Sequence, residues 1–203
     1  MPDVPPSPQL SLICKLTSIL DRVDVTGLFP RVQTLEVELG AGDGSFLARY
    51  AQRHPERNFF GVERLLGRLR KIDRKGRRVG LENLRVTRIE AAYFLEYLLP
   101  AGSVSALHVY FPDPWPKRKH RRHRLINERF TELARTVLTE NGIVYLRTDD
   151  VDYFTQMTES FASNHNFAPA GTPDELSEVV TDFEKTFNAR GISTNRAAYQ
   201  KLG

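Results

Sequence analysis

The sequence predicts an α/β fold, a doubly wound and mostly parallel sheet with helices on both faces. Three observations carry this reading. Short apolar runs alternate with longer amphipathic stretches along most of the chain, the pattern of strands joined by crossover helices. The first strand, TLEVEL at residues 34–39, breaks at once into the glycine cluster GAGDG, as the leading strand of such a sheet does where it meets a ligand. The length of 203 residues suits one domain of this kind and would be a squeeze for two.

Each element follows in order. Residues 1–9 hold four prolines and predict a disordered arm, leaving 10–203 as a single domain. Leu12, Ile13, Leu16, Ile19 and Leu20 recur at helical spacing and predict a short helix over 10–22. After TLEVEL a helix is expected from Ser45 to His54, ended by Pro55. FFGVE reads as the second strand, the basic stretch from Arg64 as its helix, and LRVTRIE as the third strand. A helix over 91–98 leads through Pro100 and Gly102 to the strand VSALHVYF at 104–111. Beyond a basic loop, Leu125 to Leu138 reads as a helix, the Asn141-Gly142 turn opens the strand IVYLRT, and 151–163 reads as another helix. The tail predicts a polar turn, a helix near 181–189 and a last strand near 192–200. Right-handed crossovers leave few topologies for this order, and they put the ligand site at the carboxyl ends of the strands.

Composition narrows the function. No apolar run approaches the length needed to span a bilayer, and the N-terminus MPDVPPSPQLSLICKL lacks the basic region of a secretory signal. A cytoplasmic protein is the expectation. The lone Cys14 permits neither an intramolecular disulfide nor a cysteine zinc cluster, and no HExxH spacing appears, so no metal is expected. The net charge of +4 hides a strong segregation. Residues 64–78 carry eight Arg or Lys against one Asp, and residues 117–124 carry six with two His. Together these segments hold +13, so the remainder sums to −9. Cations gathered this way are built to meet a polyanion, and a nucleic acid is the expected partner.

In EVELGAGDG, Gly40, Gly42 and Gly44 stand where the backbone must turn sharply and let a ligand lie against it. A dinucleotide fingerprint would need glycine at residue 45, and the chain has Ser45, which disfavours a nucleotide-dependent oxidoreductase. A diphosphate also prefers a helix N-terminus free of anions, yet Glu38 precedes the turn and Asp43 lies within it. Acid there suits a cationic or zwitterionic ligand. One strand later Glu63 ends FFGVE, 23 residues after Gly40, where a carboxylate accepts both hydroxyls of a ribose.

The string FPDPWPK at 111–117 runs into RKHRRHR. Phe111, Asp113 and Trp115 each precede a proline, which predicts extended geometry for all three, while the prolines fix their own φ. Asp113 is therefore expected on a stiff arm at the end of the fourth strand, over the glycine loop if that strand neighbours the first.

The glycine loop and spaced acid resemble the class I S-adenosylmethionine-dependent methyltransferases, a resemblance that implies a seven-stranded Rossmann-like sheet and puts Glu90, at the end of LRVTRIE, near the adenine. The string YFPDPWPKRKHRRHRL is more specific. With VELGAGDG, GVE, the Arg-Thr-Asp at 147–149 and TDFEKTFNARG in the same order, it resembles the bacterial tRNA (guanine-N7-)-methyltransferases over roughly residues 34–200. That resemblance implies S-adenosyl-L-methionine as donor and guanine 46 in the tRNA variable loop as acceptor. It assigns the donor to Glu38, Glu63, Glu90 and Asp113 beside the glycines, with Asp113 also catalytic. It assigns the tRNA or its guanine to Lys117, Asp149, Thr181, Asp182, Phe183 and Glu184. The basic run, Arg118, Lys119, Arg121, Arg122 and Arg124, is expected to grip the tRNA backbone together with the helix 64–78. Trp115 is left between stacking on the guanine and packing in the core. The family pattern departs at Glu90, where a shorter Asp or Asn is expected, and at His123, which replaces an arginine. The rivals are an exocyclic-amine methyltransferase, disfavoured because Trp115 follows a single proline, and a noncatalytic RNA-binding protein on the same fold, disfavoured by Glu63 and Asp113. Nothing in the sequence selects between a monomer and a homodimer.

Overall fold

A computed structural model describes residues 11–203; the arm expected over residues 1–9 lies outside them. The sheet has seven strands in the order β3-β2-β1-β4-β5-β7-β6. They are β1 (Leu35–Leu39), β2 (Asn58–Val62), β3 (Leu84–Thr87), β4 (Val104–Tyr110), β5 (Leu138–Thr148), β6 (Phe167–Ala170) and β7 (Asn195–Lys201). β1 pairs in parallel with β2 and β4, β2 with β3, and β4 with β5, while β7 runs antiparallel between β5 and β6. Strand order therefore reverses between β1 and β4, and the carboxyl ends of those two strands border the crevice where this architecture binds ligands.

The helices α1 (Leu47–Arg53), α2 (Leu66–Arg78), α3 (Ala91–Tyr93, continued by a π-helical turn Phe94–Leu98), α4 (Glu128–Val137) and α5 (Val151–Ala162) alternate with the strands, and α6 (Asp174–Glu178) and α7 (Asp182–Asn188) precede β7. Two apolar clusters fill the two faces of the sheet. Val37, Leu107, Val144 and Leu146 pack with Phe94, Phe130, Ala134 and Phe161 from α3 to α5, and Phe59 and Val86 pack with Phe46, Leu47, Leu69 and Ile72 from the side of α1 and α2. A parallel sheet covered on both faces reads as nearly continuous hydrophobic strands. Polar side chains on the α1 face, Glu36 and Glu38 on β1, His108 on β4 and Arg147 on β5, are therefore the exceptions to explain, and all four are buried.

Three expectations change. Residues 11–22 form no helix. Cys14 N donates to the Val86 carbonyl at 2.8 Å and Val86 N to the Leu12 carbonyl at 2.9 Å, so the segment runs parallel along the free edge of β3. Satisfying an open strand edge outweighs a helix whose apolar stripe would have lacked a partner, and Ile19 and Leu20 are left 60% and 81% exposed. The polar turn before the last helix contains β6 and α6; β6 reads FAPA, and its Pro169 is tolerated because the strand lies at the sheet edge. The basic loop winds into a 3-10 helix over Arg118–His123.

Candidate active site

The glycine loop sits at the end of β1. Gly40, Gly42 and Gly44 have φ of 81°, 56° and 73°, a region side chains rarely adopt. A Cβ at Gly40 or Gly42 would meet nothing within 4 Å, so the loop borders open space. Beneath it Glu38 is 3% exposed, and its Oε2 has no hydrogen-bond partner. Burial pushes the carboxyl up to about 8; Arg147 opposes this, and Asp43 and Glu63 add to it. A buried carboxylate oxygen without a donor, under a backbone cradle, asks for a cation. Asp43 differs. Burial raises it, but the Lys75 ammonium at 2.6 Å holds it below the usual range.

Glu63 is buried at the end of β2, where Oε1 accepts the Leu65 amide at 2.7 Å and Oε2 is free of protein partners among the described residues. Glu90 is exposed after β3 and caps α3, accepting from Ala92 N at 3.0 Å and Tyr93 N at 2.8 Å. Both of its oxygens are thus engaged, and an adenine contact would have to share them.

β4 neighbours β1, so the proline arm does leave the sheet beside the glycine loop. Asp113 is exposed there. The expected extended backbone is not found at its flanks. Phe111 has φ of 51° and Trp115 of 43°, left-handed values that cost about 1–3 kcal/mol each in a bulky residue and persist only where the surroundings hold them. Phe111 N donates to the Arg147 carbonyl at 2.8 Å, and its ring stacks on Phe183 at 6.3 Å and lies tilted against Phe187 at 5.8 Å. Trp115, 38% exposed, lies against the imidazoles of His120 and His123 at 5.9 and 5.3 Å, so its indole is not part of the core.

The start of α7 is tied to the residues that follow the glycine loop. Asp182 N donates to Ser45 Oγ at 3.1 Å, and Arg49 donates to the Val180 carbonyl. Thr181 and Glu184, expected on the substrate side, are both engaged within the protein. Thr181 caps α7, and its hydroxyl accepts from Glu184 N at 3.0 Å in a capping box. Glu184 is 0% exposed, bonded to Arg147 at 3.0 Å and to Arg196. The string T-x-x-E already carries the capping signature. Asp182 and Phe183 remain exposed, and the Arg68 guanidinium lies 6.0 Å from the Phe183 ring.

Lys117, Arg118, Lys119, Arg121 and Arg122 are exposed. Arg124 differs from them: at 2% exposure it is among the most buried side chains, with its donors directed at protein acceptors. Arg64 just before α2 and, on it, Arg68, Arg70, Lys71, Arg74, Arg77 and Arg78 are exposed around the buried Leu69, Ile72 and Asp73. Asp149, half-buried, ends β5. The carboxyl ends of five adjacent strands thus carry Glu63, Glu90, Glu38, Asp113 and Asp149. The sequence reading missed the buried bonds that Arg147 and Arg124 make and the Glu36–His108–Tyr110 chain, joined at 2.7 Å on both sides of the imidazole. The signal available for the last was polar residues at every second position of buried strands.

A family model described as "Putative methyltransferase" matches residues 32–198. A tRNA (guanine-N(7)-)-methyltransferase of Leifsonia xyli subsp. xyli is 35% identical over 185 residues, covering 89% of this chain and 82% of that protein. One of Thermotoga maritima is 32% identical over 85% of this chain, and the match spans 55% of the relative's length. Among solved structures, the 16S rRNA methyltransferase KamB aligns with a TM-score of 0.60 at 15% identity over 84% of this chain and 89% of its own. A geranyl diphosphate methyltransferase solved with sinefungin aligns at 0.56 and 15% identity over 86% and 75%. At that identity the structural likeness speaks to the fold alone.

Proposed function

Since the chain belongs to the tRNA (guanine-N7-)-methyltransferase family, we propose that it methylates N7 of guanine 46 in the tRNA variable loop with S-adenosyl-L-methionine as donor, in the cytoplasm. The observation that carries the donor assignment is the unpartnered Glu38 Oε2 beneath the glycine cradle. Glu38 would hold the donor's ammonium, the backbone of Gly40, Gly42 and Gly44 would line its path, Glu63 would take the ribose hydroxyls through its free oxygen, and Glu90 stands at the adenine end. When bound, the donor supplies an electrophilic methyl group on a sulfonium.

The chain's own residues then have a limited task. Guanine N7 carries an in-plane lone pair and no proton, so no side chain must act as a base. Positive charge grows on the purine as the methyl arrives, and Asp113, on its stiff arm, offsets that charge more in the transition state than before it. Lys117, Asp149, Asp182 and Phe183 would meet the acceptor. The exposed cations of the 3-10 helix and of α2 grip the phosphates. Incubation with labelled donor and bulk tRNA, followed by digestion to nucleosides, tests the reading. Label is expected in 7-methylguanosine and lost from tRNA lacking guanine 46, and label in any other nucleoside would overturn it.

A further inference from the structure

We propose that Arg124 is a positioning residue that holds the Asp113 arm in register, and not one of the cations that bind RNA. The guanidinium lies inside the molecule with each nitrogen committed. Nε donates to the Pro114 carbonyl at 2.6 Å, Nη1 to Gln156 Oε1 at 2.9 Å and Nη2 to Asp152 Oδ2 at 2.6 Å. Its carbon stands 4.7 Å from the centre of the Tyr153 ring. Gln156, Asp152 and Tyr153 all belong to α5, so Arg124 ties the proline-rich arm to a packed helix.

The tie falls where the arm needs one. Residues 112–116 contain three prolines without amide protons, and among the described residues the Arg124 bond is the one hydrogen bond that reaches them. Pro114 directly follows Asp113 and precedes the left-handed Trp115. Prolines stiffen the arm internally but do not say where it points. A planar fork with fixed donor directions does, and a lysine cannot copy it. Burial of the charge is tolerable because Asp152 and the ring face compensate it. Asp152 also receives Arg121 at 2.9 Å, which joins the exposed basic helix to the same anchor.

The functional part of this inference rests on the reading of Asp113 given above. The chain's one tryptophan, Trp115, supplies a readout that does not depend on activity. In the full-length protein, Arg124→Lys is expected to lower the fluorescence anisotropy of Trp115 and raise its quenching by acrylamide. The same variant should cut kcat for tRNA methylation on the order of tenfold to a hundredfold, the scale of a small misplacement of a reacting group. KM for tRNA and the salt dependence of tRNA binding should stay as in the parent. Unchanged anisotropy and kcat would overturn the proposal. So would an unchanged kcat with a log-log salt slope shallower by about 0.9, the mark of one lost phosphate contact. Should circular dichroism show Arg124→Lys unfolded, Asp152→Ala removes one anchor at a half-exposed position and is read the same way, with smaller changes in the same direction. Asp113→Ala separates the two claims: full turnover there removes the catalytic role of Asp113, while a loosened Trp115 in Arg124→Lys still establishes the clamp.

Discussion

Glu38 and Asp113 are carboxylates given opposite environments by the backbone around them. Glu38, buried and raised to about 8, is mostly protonated at pH 7 without a ligand. Binding an ammonium beside it favours the charged form, so the proton must leave. Calorimetry of donor binding at pH 7 in buffers of different ionisation enthalpy should therefore report a net release of protons. Glu38→Gln should abolish that release and weaken binding. Because the free protein holds the proton more tightly than the complex does, donor affinity is expected to fall as pH drops below about 8. Asp113 is exposed, and the role proposed for it rests on placement. Asp113→Ala should leave tRNA binding nearly intact while cutting kcat on the order of a hundredfold or more, as loss of one preorganised electrostatic group does; near-normal turnover by that variant would remove it from the mechanism. Both residues were legible in the sequence, Glu38 from its place before the glycines and Asp113 from its prolines. What was not legible was how the arm is held. Local rules predicted extended residues before each proline, and long-range contacts through Arg147, Phe183 and Arg124 impose left-handed ones at Phe111 and Trp115.

At the level of elements, the segment from α6 to α7 is fastened by an ion triad around the buried Glu184. Arg147 on β5 and Arg196 on β7 both bind Glu184 of α7, and Arg147 also donates to the Val179 carbonyl at 2.9 Å. Such a triad is weak evidence of net stability, but removing one member strands the others. Glu184→Ala is expected to destabilise the protein by about 3–5 kcal/mol in urea unfolding. Thr181→Ala, which loses only the cap, should cost about 1 kcal/mol. If Glu184 instead met the guanine directly, its loss would depress turnover with little change in the unfolding midpoint. The N-terminal segment shows the same dependence on context. Its helical spacing is real, yet the open edge of β3 takes it, with Leu12 N bonded to Asp73 Oδ1 at 2.7 Å.

For the whole molecule, the segregated charge predicts how the partner binds. If about six of the exposed cations on α2 and the 3-10 helix meet phosphates, log affinity for tRNA should fall against log salt with a slope near −4 to −5; a flat dependence would rule out an electrostatic grip. The sequence by itself determined the alternation of strands and helices, the glycine loop and its acids, the proline arm and the two basic segments. Those are local features, set by periodicity, steric limits at proline and glycine, and charge. Only the tertiary structure decided which charges face the solvent and which are spent inside. Arg124, Thr181 and Glu184 share strings with exposed neighbours, and one-dimensional spacing cannot tell a cation that meets phosphate from one that meets Pro114. That choice follows from burial, because a charge taken out of water must find its partners within the fold, and those partners lie 10 to 37 residues away along the chain.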